Sequence, residues 1–171
     1  DRIPVLIADD NTWRVAGEQV AFSFDANGVG CWESFVFTED HHINADWHYV
    51  EQVRETLERS HGVGIAIGSG TINDIVKMAS TLLQIPYICV PTAPSMVGYT
   101  TPFAKILDVG IRSVFACRAP VAIVADSDIL SKAPQDMIAS GFGDLVANLT
   151  AGADWILEEM LGYVGMDEDV W

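Results

Sequence analysis

What most constrains this chain is a set of short apolar runs, each closed by a turn residue. Ile3-Pro4-Val5-Leu6-Ile7-Ala8 carries no polar side chain and ends on Asp9-Asp10-Asn11-Thr12. Val63-Gly64-Ile65-Ala66-Ile67 ends on Gly68, Tyr87-Ile88-Cys89-Val90 on Pro91, and Val121-Ala122-Ile123-Val124-Ala125 on Asp126-Ser127-Asp128. Continuous apolar character is what a strand needs when both of its faces are covered, as in a buried parallel sheet. Ser34-Phe35-Val36-Phe37 reads as one more strand. Helices are expected from Trp13 to about Val20, after Asn44-Ala45-Asp46, from Ile72 to Leu83, and from Phe142 to Leu161. In the second of these, Val50, Val53 and Leu57 recur three and four apart; in the last, Phe142, Leu145, Val146, Leu149, Ile156 and Met160 form the stripe. Strands alternating with helices at this spacing predict an α/β domain with a parallel sheet, helices on both faces and right-handed crossovers. The alternation breaks between Thr100 and Pro120, where Lys105 to Phe115 reads as a hairpin turning at Asp108 to Gly110.

Composition narrows the partners. The chain has 171 residues, 24 acidic against 9 basic, a formal net charge of −15, and it is 50% hydrophobic. That length fits one domain able to bury roughly 70% of its unfolded surface without staples. The apolar fraction and five tryptophans exclude a disordered chain. No run reaches the ~20 apolar residues of a membrane span, and no secretory signal opens the sequence. Nucleic acid is a poor partner, because binding it rests on lysine and arginine at phosphates; after Ala119 the only basic residue is Lys132. Any phosphate would have to be held by backbone N–H groups. Cys31, Cys89 and Cys117 form no CxxC pair, which fits reduced thiols in a cytoplasmic protein.

Chemistry concentrates after the strands. Gly68-Ser69-Gly70-Thr71-Ile72-Asn73-Asp74 lies between a strand and a helix, where glycines let backbone approach a pyrophosphate at a helix N-terminus. The third glycine of a dinucleotide fingerprint is absent, so an ordinary tight turn is the competing reading. Thr92-Ala93-Pro94-Ser95 follows the next strand at the same sheet edge, with plain turn chemistry as its alternative. Asp9 closes the first strand there as a ribose acceptor, the competing reading being a helix cap made by Asp9, Asp10 or Asn11. His41, His42 and His48 lack zinc-site spacing and read as a solvated loop and helix start. Asp144, off the apolar stripe and just after Gly141-Phe142-Gly143, reads by itself as a first-turn acid favouring the helix dipole.

Taken together, three ordered segments resemble the sn-glycerol-1-phosphate dehydrogenases of the iron-containing alcohol dehydrogenase, glycerol dehydrogenase and dehydroquinate synthase superfamily. They are Gly68 to Ile75, Pro91-Thr92-Ala93-Pro94-Ser95-Met96, and Ser140-Gly141-Phe142-Gly143-Asp144-Leu145. Ala8-Asp9-Asp10-Asn11-Thr12, Asp126-Ser127-Asp128-Ile129-Leu130 with Ala133-Pro134, and Ala153-Asp154-Trp155 agree as well. The resemblance implies a Rossmann-like NAD(P)-binding domain over residues 1–140, with residues 141–171 starting a helical metal-binding domain whose remainder is absent. It implies NAD(P)-linked reduction of dihydroxyacetone phosphate to sn-glycerol 1-phosphate on a divalent metal, usually zinc. Gly68, Ser69, Gly70 and Asp74 would serve the pyrophosphate, Asp9 the adenosine ribose, and Thr92 and Ser95 the nicotinamide side. Asp144 would be the one metal ligand of this half. Asp9 at the ribose would repel a 2′-phosphate, which favours NAD over NADP.

Two positions depart from the family pattern. Val97 stands where an aspartate commonly precedes Gly-Tyr, so no catalytic residue is assigned. Asn148 stands where a lysine often lies one helical turn beyond the metal-binding aspartate. The expected histidine ligands are missing after Asp144, and one carboxylate does not hold zinc, which takes about four ligands. The expectation is a cofactor-binding half with negligible activity alone, its apolar stripe free to self-associate. A nucleotide-binding module without catalysis, and a glycerol dehydrogenase or dehydroquinate-synthase-like enzyme, stand as alternatives.

Overall fold

The computed structural model describes residues 2–38 and 43–167. The expected α/β architecture is present. β1 (Ile3–Asp9), β2 (Glu33–Phe37), β3 (Gly62–Gly68), β4 (Tyr87–Pro91) and β7 (Ala122–Ile123) form one sheet in the order β2-β1-β3-β4-β7. Every pair in it is parallel. The chain order reverses between β1 and β3, the switch point outside which ligands of open α/β sheets lie.

Both sheet faces are covered, which is why the central runs needed no polar alternation. On one face α3 (Trp47–Arg59) and α4 (Gly70–Leu82) bury Val50, Val53, Leu57, Ile72, Ile75 and Val76 against Val5, Ile7 and Ala66. On the other, Leu6, Ala8, Ile65 and Ile67 pack against Ala16 and Ala21 of the segment that follows β1. That segment starts earlier than the sequence suggests. α1 (Asp10–Thr12) runs into a π-helical stretch, Trp13–Gly17, and then α2 (Glu18–Ala26). Asp9 and Thr12 cap each other reciprocally, so the helix opens directly off the strand instead of at Trp13.

The hairpin also forms as expected. β5 (Phe103–Asp108) pairs antiparallel with β6 (Ile111–Ala116), and Val109 and Gly110 make the turn at φ 48° and 81°. Two positive φ values in a two-residue loop match the strand twist. Ala104 and Ile106 are buried on its inner face, while Leu107 N–H donates to the Ala45 carbonyl at 2.6 Å.

Two boundaries differ from the expectation. The last strand pairs only over Ala122–Ile123, at an edge where Val121 and Val124 are exposed, and α5 (Ser127–Leu130) follows, capped by Asp126. The long helix, α6 (Gln135–Met160), begins behind Pro134 and not at Phe142. Gly141 and Gly143 are therefore interior to it, and Asp144 is not a first-turn residue. The apolar stripe of α6 is exposed: Phe142, Leu149 and Met160 are 69%, 76% and 79% accessible.

Candidate functional site

At the carboxyl edge of the sheet the chain forms two adjoining cavities. The first, of about 580 Å³, opens over the switch point and is lined by Asp9, Thr12, Ser69, Thr92, Asp126 and Lys132, among others. The second, of about 510 Å³, lies between the α4 N-terminus and the hairpin, and its walls include Gly70, Asp74, Ser95, Met96, Lys105 and Arg112. Ser69 and Met137 line both and form the ridge between them. All the cofactor residues expected from sequence except Gly68 therefore face one of two neighbouring spaces.

Their local geometry explains the residue types. A Cβ at Gly68 would sit 2.7 Å from Ile72 Cβ, so glycine there lets α4 leave the strand without a loop. Ser69 is the cap residue of α4 and makes no side-chain bond to it. Gly70 and Thr71 line the second cavity at the positive end of the helix dipole, and first-turn N–H groups have no intrahelical acceptor. The Thr92 N–H donates to the Gly68 carbonyl at 3.2 Å, locking the second loop to the first. Asp9 performs the capping alternative: its Oδ1 accepts the Thr12 N–H at 2.7 Å. The residue also lines the first cavity, so capping and facing a ligand are compatible there.

Asp74 sits differently from its sibling residues. Its Oδ2 accepts the Lys105 N–H at 3.1 Å and its Oδ1 the Asn73 amide at 3.3 Å, so it holds the hairpin to α4. Burial pushes its carboxyl above the ordinary range, against the opposing pull of the Lys105 N–H and the Lys77 charge. This tie joins positions 31 residues apart, which no local sequence pattern marks.

Lys77 went unnoticed in the sequence. It is fully buried on α4, and its Nζ donates to the carbonyls of Gly98, Thr101 and Phe103 at 3.0, 2.9 and 3.0 Å. An ammonium has three donors, and all three are used. Tyr99 Oη adds a bond to the Ala93 carbonyl at 2.7 Å. The loop between β4 and β5, which carries Ser95 and Val97, is thereby fixed from beneath. A lysine on an apolar helix face is the only signal that could have found it.

Asp144 reaches the same loop from above. Its Oδ2 accepts the backbone N–H of Val97 at 2.8 Å. α6 can pass this closely because residue 141 is glycine: a Cβ there would lie 1.7 Å from the Pro94 carbonyl oxygen. Among the described residues no group of three or more His, Cys, Asp or Glu could hold a metal ion, so Asp144 does not make a metal site with its neighbours. Asn148 is exposed on α6. His48 is exposed at the start of α3, in contact with Gln52, while His41 and His42 lie outside the described residues.

The family model described as iron-containing alcohol dehydrogenase matches residues 2–134. The glycerol-1-phosphate dehydrogenase [NAD(P)+] of Halalkalibacterium halodurans is 36% identical over 158 residues, 91% of this chain and 39% of that protein. The enzymes of the same name from Bacillus subtilis and Methanosarcina barkeri are 37% and 36% identical, each over 92% of this chain and over 40% and 43% of their own. The chain thus spans about two-fifths of the length of these relatives. Among solved structures, glycerol dehydrogenase from Schizosaccharomyces pombe superimposes with a TM-score of 0.71 at 23% identity, over 85% of this chain and 36% of that one. Sulfoacetaldehyde reductase from Bifidobacterium kashiwanohense, in complex with NAD+, gives 0.68 at 17% identity, over 84% and 43%. On the family-model match over residues 2–134, the chain belongs to the iron-containing alcohol dehydrogenase family.

Proposed function

We propose that this chain is the nucleotide-binding half of an NAD(P)-dependent polyol-phosphate dehydrogenase that reduces dihydroxyacetone phosphate to sn-glycerol 1-phosphate. The observation that carries the reading is the shared cavity of Asp9, Ser69 and Thr92 at the switch point of a parallel sheet. There the Asp9 carboxylate accepts from ribose hydroxyls, and the pyrophosphate crosses the Ser69 ridge onto the free N–H groups of α4. Thr92 and Ser95, one on each cavity, flank the path of the nicotinamide half. The likeness to enzymes named for NAD(P)+ supports the cofactor, and Asp9 favours NAD because a 2′-phosphate would meet its charge.

The unit that binds nucleotide is residues 1–140 in this reading, and residues 141–171 begin the helical part. A divalent metal, zinc in the family expectation, would take Asp144 as one ligand; the described residues around Asp144 do not supply the rest. The exposed stripe of α6 supports a covering element, a helical domain or a second copy of the chain. Three free cysteines support a reduced, cytoplasmic setting, and among the described residues no helix is long and apolar enough to cross a membrane. A second reading, nucleotide binding without turnover, is favoured by Val97 and Asn148, which offer no charge where the family pattern has aspartate and lysine.

Titration of the chain with NADH and NADPH, followed by nicotinamide fluorescence, tests the nucleotide reading. NADH binds more tightly than NADPH, and Asp9→Ala narrows that difference. Failure to bind either at about 1 mM, an interaction of only ~4 kcal/mol, overturns it.

A further inference from the structure

The second cavity has a cationic wall that the sequence concealed. In the hairpin register Lys105 stands opposite Val114 and Leu107 opposite Arg112, which puts Lys105 and Arg112 on one face as diagonal neighbours. The other face, with Ala104 and Ile106, is buried against the core. Both basic side chains therefore border the cavity that also contains Gly70, Thr71, Ser95 and Ser140. Neither makes an ion pair or a side-chain hydrogen bond among the described residues; Lys105 donates its backbone N–H to Asp74, and its charge attracts that carboxylate from a longer distance.

The placement is selective. The chain has nine basic residues against 24 acidic ones, yet two of the nine share this wall. Asp74, the one acid among the described residues lining this cavity, has both oxygens engaged by N–H donors. The cavity carries a local positive excess in a strongly negative molecule.

We propose that Lys105 and Arg112 bind a phosphate group in this cavity, the guanidinium clamping two of its oxygens and the ammonium a third. The proposal rests on the dehydrogenase reading above and deepens it. Phosphate recognition was expected to depend on backbone amides alone, since Asn148 offers no charge; the hairpin supplies the missing cations. The phosphate has two possible sources with the same chemistry, the dinucleotide's pyrophosphate or the phosphate of a polyol-phosphate substrate.

The test compares the parent chain with Lys105→Ala/Arg112→Ala, titrated by calorimetry with inorganic phosphate, with glycerol 1-phosphate and with NADH. Both side chains are exposed, so circular dichroism and melting temperature remain unchanged in the variant. The parent binds phosphate or glycerol 1-phosphate more weakly as salt rises, and the double variant loses at least tenfold in affinity. If glycerol 1-phosphate is lost and NADH is kept, the site holds the substrate's phosphate; if NADH is lost as well, it holds the pyrophosphate. Each supports the site. Equal affinities of parent and variant for all three ligands, or no binding of any of them by the parent, overturn it. Phosphate binding that depends on both residues, in a chain that binds neither NADH nor NADPH, would leave the site standing and remove the nucleotide reading instead.

Discussion

The Asp144 carboxylate accepts the backbone N–H of Val97 at 2.8 Å, joining the long helix to the loop behind β4. The bond needs one acceptor oxygen and no charge, so Asp144→Asn keeps it and Asp144→Ala loses it. A bond of this kind at an exposed position contributes about 0.5–1.5 kcal/mol. Hydrogen exchange at the Val97 amide is therefore faster in the alanine variant and unchanged in the asparagine variant. Equal exchange in all three proteins would show that the contact does not hold the loop.

Gly141 and Gly143 stand two residues apart on α6 and have opposite expectations. A methyl at Gly141 meets the Pro94 carbonyl oxygen at 1.7 Å, whereas at Gly143 it meets nothing within 4 Å. Gly141→Ala must push α6 off the loop, at a cost of about 1–3 kcal/mol as for overpacking. Gly143→Ala gains about 1 kcal/mol from helix propensity. Chemical denaturation of the two variants separates them; a destabilised Gly143→Ala or a neutral Gly141→Ala contradicts the packing described.

The same helix shows where sequence reading stops. β1, β3 and β4 were legible because burial on both faces writes an unbroken apolar run. The cap at Asp9 was legible because it sits at the end of such a run, whereas Asp126 read only as a strand stop and the short helix it caps was not expected. The start of α6 was not, since Gly141 reads as a helix boundary when it is present for a close backbone approach. Asp9, Ser69 and Thr92 could be grouped by their common place after strands. Lys105 and Arg112 could not, because their meeting depends on hairpin register and on which hairpin face is buried. Asp74 was visible as a motif residue, but its hydrogen bond to Lys105 joins positions that only the fold brings together.

Lys77 holds three backbone carbonyls of the loop between β4 and β5. Methionine matches its length without a donor and takes the charged bond from each of those carbonyls, while Gly98 still accepts from the Thr101 hydroxyl at 2.9 Å. Lys77→Met should cost about 1–3 kcal/mol, the scale for acceptors that lose their donor. Protection of the amides between Gly98 and Phe103 should fall further than that of β1 or β3. Uniform loss of protection, or none, would mean that the lysine does not organise this loop in particular.

Asp74 makes stability depend on pH in a defined direction. Burial raises its folded-state pKa above the unfolded value, so its favourable contribution is complete below the unfolded pKa and is lost as pH rises through the folded one. Above the unfolded pKa the desolvated carboxyl is a net cost to the fold. Asp74→Asn keeps an oxygen for the Lys105 N–H without the charge. The variant should melt above the parent at pH 7, with the difference shrinking as pH falls through the raised folded-state pKa and gone below about 4, the ordinary carboxylate range. It also removes the one acid among the described residues lining the second cavity, so its affinity for inorganic phosphate should rise. Melting curves across pH, read beside phosphate titrations, check both effects. A variant less stable than the parent at pH 7 would mean that the attraction of Asp74 to Lys77 and Lys105 outweighs its desolvation.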